Sequence, residues 1–140
     1  HLTVWLDGYL CWMMNQFEAN EYNRSMVIKN IGYLLRSFLQ NPTYEYIIFN
    51  WAIHLEEIYE MILSELENTQ FDLYKITLIC NEDELSKRLQ NDISKGKRAQ
   101  NDIKKSIERI EMYKILNTIK IETTKKSIQE ITAEVINIIQ

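Results

Sequence analysis

The sequence predicts an α/β domain in three layers, with a mainly parallel sheet carrying helices on both faces. Two observations lead there. Short β-branched or aromatic runs alternate with amphipathic helical stripes along the chain, and no two strand runs are joined by a hairpin turn. The strand run around Tyr46-Ile47-Ile48-Phe49 is continuously apolar rather than alternating, as befits a strand covered on both sides.

Thr3-Val4-Trp5-Leu6-Asp7, stopped by Gly8, reads as the first strand. An irregular, unusually apolar loop follows from Leu10 to Glu21. Met26, Val27, Ile31, Leu34, Leu35, Phe38 and Leu39 then recur at helical steps until Asn41-Pro42, because the residue before a proline is pushed out of the helical region. Tyr44 to Trp51 is the second strand, and Leu55, Ile58, Ile62, Leu63 and Leu66 mark the next helix. Leu73 to Cys80 is the third strand. Asn81, aided by Glu84, caps a helix that carries Leu85, Leu89 and Ile93 and breaks near Gly96. Residues 98–116 form one charged helix with a thin apolar stripe. Thr118 to Thr123 is the fourth strand, and Ser127 with Glu130 forms a capping box ahead of a last apolar helix.

With 140 residues, one proline and three glycines, the chain offers no linker composition and no fixed-period repeat, so residues 1–140 are taken as one domain. A net charge of −4 repels a phosphate backbone, which argues against general nucleic-acid binding. The apolar runs fall well short of the roughly 20 residues that a membrane span needs. Cys11 and Cys80 stand at a non-motif spacing with no secretory signal ahead of them, and read as reduced thiols of a cytoplasmic protein.

A phosphate-cradling P-loop needs two glycines bracketing four residues, then Lys and Ser or Thr, so that backbone N–H groups wrap the phosphates. Gly8, Gly32 and Gly96 give no such spacing. The nearest match, Gly96-Lys97, is followed by Arg98 and has Asn91 where the first glycine belongs.

Taken in order, Leu6-Asp7-Gly8, Cys11-Trp12-Met13-Met14, Ile48-Phe49-Asn50-Trp51, His54-Leu55-Glu56-Glu57-Ile58, Leu85-Ser86-Lys87-Arg88-Leu89, Ser106-Ile107-Glu108-Arg109 and Thr118-Ile119-Lys120-Ile121 resemble the bacterial P-loop kinase-like proteins labelled AAA-domain or putative nucleotide kinases, relatives of the tunicamycin-resistance group. The resemblance covers nearly the whole chain but begins at that family's second strand. It implies a nucleoside-monophosphate-kinase-like sheet ordered 2-3-1-4-5, with the central, P-loop-bearing strand missing from this sequence and expected ahead of His1. It also implies ATP and Mg²⁺ as cofactors, a small-molecule or nucleotide substrate, and a lid-like segment at 96–116. Tyr9 departs from the pattern, standing where the family commonly has an acidic residue.

Each candidate residue carries two readings. Asp7, at the end of a parallel strand, is either the catalytic carboxylate or a turn cap. Arg88, Arg98 and Arg109 either hold phosphate through their guanidinium forks or belong to solvated helices. Trp12, Phe17 and Trp51 either shape a substrate pocket or fill core, and His54 is either a substrate contact or a helix-start histidine. His54 lacks the spacing of a zinc helix, so no metal ligand is assigned. The functional expectation is a phosphotransferase moving the γ-phosphoryl group of ATP to a small acceptor, incomplete or inactive in this stretch. The alternative is a non-catalytic binding module on a degenerate kinase fold. An antibiotic-resistance role, by analogy with the tunicamycin-resistance relatives, is a third and weaker expectation.

Overall fold

A computed structural model describes residues 1–97 and 102–140. It is mixed α/β and falls into two compact units, His1–Asp72 and Leu73–Gln140.

In the first unit, β1 (Thr3–Asp7) and β2 (Tyr46–Asn50) pair in parallel, with Thr3 beside Tyr46 and Asp7 beside Asn50. The crossover between them is α1 (Glu21–Leu39), followed after β2 by α2 (Glu56–Ser64). The long helix begins where Asn20 accepts a hydrogen bond from the Asn23 backbone N–H, a cap that the apolar spacing alone did not reveal. Its buried stripe of Val27, Ile28, Ile31 and Leu35 packs with Leu6, Ile53, Ile62 and Leu66 into the core of this unit. Val27 and Ile31 are fully enclosed. At Gly32 an added Cβ would meet Cβ of Glu65 at 2.3 Å, so α1 packs closely against the chain after α2. Arg36 fastens the same junction through the backbone carbonyl of Glu65.

Only one face of this sheet is covered. Leu6, Ile47 and Phe49 turn toward the core, whereas Trp5 and Ile48, partners in the ladder, are 62% and 53% exposed. The continuous apolarity around Tyr46 therefore does not mark a strand buried on both faces. Within this unit one side of the pair carries no helix.

In the second unit, β3 (Ile76–Ile79) and β4 (Ile119–Glu122) are again parallel partners. Between them run α3 (Glu82–Ser94), α4 (Asp102–Glu108) and α5 (Ile110–Ile115), and α6 (Ile128–Ile139) follows. β1 matches the sequence run that announced it, whereas β2, β3 and β4 are each shorter at both ends than theirs. Asn81 caps α3 by accepting from the Glu84 backbone N–H. Gly96 ends it with φ of 68°, where its N–H bonds to Ile93 and that of Lys97 to Asp92, the pairing of a Schellman cap. The helix expected over 98–116 is instead two short helices within the described residues, hinged at Arg109, with Ile103 and Ile107 half-buried on one and Ile110 and Tyr113 on the other. The capping box of α6 is formed as expected, Ser127 and Glu130 bonding reciprocally.

The four strands form two separate parallel pairs rather than one sheet. No helix among the described residues is long and apolar enough to cross a membrane.

Candidate functional site

The C-terminal ends of β1 and β2 gather the candidates of the first unit. Asp7 closes β1, and its Oδ1 accepts the backbone N–H of Tyr9 at 2.9 Å, capping the 3-10 helix Gly8–Trp12. The turn-cap reading is thus realised, and it engages one carboxylate oxygen only. The close approach at Gly8 is obligatory: a Cβ there would lie 2.8 Å from Cγ of Trp51. Trp51 in turn packs against the core, with Trp12 bridging it to Phe17 at ring-centroid distances of 6.5 and 5.5 Å. Trp12 and Trp51 are therefore half-buried core-edge aromatics, while Phe17 is exposed. His54 is half-buried just ahead of α2. Cys11 joins this edge as a free thiol, pushed above the ordinary thiol range first by burial and then by the negative charge of Asp7.

Sequence reasoning passed over Trp5 and Asn50. The Trp5 indole N–H donates to Oδ1 of Asn50, diagonally across the pair on its open face. Two polar-tipped side chains flanking an apolar strand centre were the only signal available.

In the second unit, Arg88 is held by its own protein. Its Nε donates to Glu84 at 2.8 Å, and its two terminal nitrogens donate to Thr123 Oγ1 and to the Thr123 carbonyl at 3.1 and 3.0 Å. Thr123 passes the bond on to the Ile79 carbonyl, so this guanidinium ties α3 to the ends of β3 and β4. Arg109 is exposed at the joint of α4 and α5. Arg98 lies outside the described residues.

Beside these strand ends is a cavity of about 360 Å³, floored by Ile79, Ile107 and Ile110 and rimmed by Glu82, Glu111 and Glu122. The one cation among the described residues of the rim, Lys114, bonds to Glu111 at 2.6 Å. Glu122 stays ionised to lower pH than an ordinary carboxyl, chiefly because the Thr124 hydroxyl and backbone N–H donate to it. Such a rim repels phosphate. Cys80, also a free thiol on this cavity, is raised mainly by burial.

The described residues do not fit ATP and Mg²⁺ on their own. Gly96-Lys97 is a helix cap, and the guanidinium of Arg88 is engaged by Glu84 and Thr123, so neither is open to a phosphate.

No family model, no curated protein and no solved structure matches this chain.

Proposed function

We propose that this chain supplies the acceptor-binding and lid-like parts of a nucleotide-kinase-like phosphotransferase that moves the γ-phosphoryl group of ATP to a small acceptor. The observation that carries the reading is the strand pairing. β1 lies parallel beside β2 and β3 beside β4, and these correspond to the adjacent members 2-3 and 4-5 of the order 2-3-1-4-5. Asp7 stands at the edge where open α/β sheets take ligands. With Oδ1 committed to the Tyr9 N–H, its Oδ2 is the oxygen left to orient or deprotonate an acceptor hydroxyl.

The second reading, a non-catalytic binding module, draws on three particulars: Tyr9 in place of an acidic residue, Arg88 consumed in structural bonds, and the carboxylate rim of the cavity beside β3 and β4. Calorimetric titration with ATP and Mg²⁺, followed by an assay of labelled phosphoryl transfer to nucleosides and sugars, decides between them. Micromolar binding with transfer supports the phosphotransferase. An Asp7→Asn variant is then expected to keep ATP affinity and lose about 10²- to 10⁴-fold in turnover. Acceptor binding without ATP binding accords with a chain that lacks a phosphate loop, and absence of acceptor binding as well leaves the module reading.

A further inference from the structure

Asp7 and Asn50 are partners at the last rung of the β1–β2 pair, so their side chains leave the sheet on one face from strands about 4.8 Å apart. The neighbouring rung on that face is Trp5 and Ile48, both exposed. The Trp5 indole can only donate, so the Asn50 atom that it meets must be the carboxamide oxygen. Nδ2 of Asn50 is therefore turned away from Trp5 with both of its N–H donors, and no protein acceptor among the described residues takes them. Asp7 is the complementary case, its Oδ1 held by the Tyr9 N–H and its Oδ2 left as an acceptor. A fixed donor and a fixed acceptor thus stand side by side at the strand ends, Asn50 locked by the Trp5 N–H from the neighbouring strand and Asp7 by the Tyr9 N–H of its own turn.

We propose that Asp7 and Asn50 form one hydroxyl-reading pair, with Oδ2 of Asp7 accepting from, and Nδ2 of Asn50 donating to, adjacent hydroxyls of a neutral, sugar-like ligand. A hydroxyl both donates and accepts, so a vicinal pair satisfies the two side chains together. A phosphate or carboxylate would satisfy Asn50 alone and be repelled by Asp7. Trp5 is the positioning residue, because its N–H decides which way the amide faces. The proposal rests on the phosphotransferase reading only in calling this ligand the acceptor.

The test is a titration of the isotope-labelled full chain with methyl β-D-ribofuranoside, read by NMR at the Asn50 side-chain amide and the Trp5 indole N–H. Both signals are expected to shift saturably, and the deoxy analogue lacking one of the two hydroxyls is expected to bind roughly five- to tenfold more weakly. Asn50→Asp, nearly the same shape without the donors, is expected to abolish the shift at Trp5 while the remaining spectrum stays dispersed. Trp5→Phe, at an exposed position, is expected to weaken binding with the fold retained. No shift at either group, or equal binding of the deoxy analogue or of acetamide, overturns the proposal. ATP turnover without a shift at Asn50 sinks this inference alone, whereas a shift at Asn50 without phosphoryl transfer keeps the pair and leaves the phosphotransferase reading without support.

Discussion

Gly8 and Gly32 are placed by what their missing Cβ atoms would strike, Trp51 in one case and Glu65 in the other. Both obstacles include atoms at or next to the neighbour's own Cβ, which cannot swing aside, so Gly8→Ala and Gly32→Ala are each expected to cost about 1–3 kcal/mol, measured as a lowered denaturant midpoint at unchanged slope. Cys11 offers a reading of charge at the same edge. Burial first, and Asp7 second, hold its thiol protonated past the ordinary range. Alkylation of Cys11 should therefore be slow at neutral pH and speed up only as the pH rises beyond that range. Asp7→Asn removes the lesser cause, and is expected to quicken the reaction at neutral pH by a small factor. An unchanged rate would mean that the Asp7 charge is not felt at the thiol.

At the scale of elements, the capped starts of α3 and α6 are where sequence and structure agree most closely, because caps are local chemistry. Replacing Ser127 by Ala removes the acceptor for the Glu130 N–H and is expected to cost about 1 kcal/mol. The Glu130 carboxyl is held below its ordinary range by the backbone N–H and hydroxyl of Ser127. A depressed folded-state value means that its support for α6 is complete above the ordinary carboxylate range and is lost as the pH falls through the lower, folded value. Fraying of the first turn of α6 in acid, followed by the Ser127 and Glu130 amide signals, should lose its pH dependence in Glu130→Gln, whose amide does not titrate. Arg88 acts between elements. Arg88→Lys loses the fork that spans Glu84 and Thr123, so it is expected to destabilise the second unit by about 1–2 kcal/mol. If ATP affinity falls while stability does not, the arginine serves phosphate after all.

Across the whole molecule, the two units differ in how much they enclose. The first buries Leu6, Val27, Ile28, Ile31, Leu35, Ile53, Ile62 and Leu66, while among the described residues of the second only Leu89, Leu116 and Ile121 are buried hydrophobics. Opening free energy follows enclosed apolar contact, so amides of α1 are expected to exchange most slowly and those of β3 and β4 measurably faster. Equal protection in both units would show that enclosure does not rank their stability.

The sequence by itself determined the kinds and order of the elements, because helical periodicity, caps and the break at Asn41-Pro42 are written within a few residues of where they act. The same local legibility found Asp7 at a strand end and the capping box at Ser127. It could not say that Trp5 would meet Asn50, that Arg88 would spend its fork on Thr123, or that one face of the β1–β2 pair would stand open. Those outcomes join residues some 35 to 45 positions apart. Only the tertiary structure decided them, since a side chain's hydrogen-bond partner across a crossover depends on which strands become neighbours and in what register.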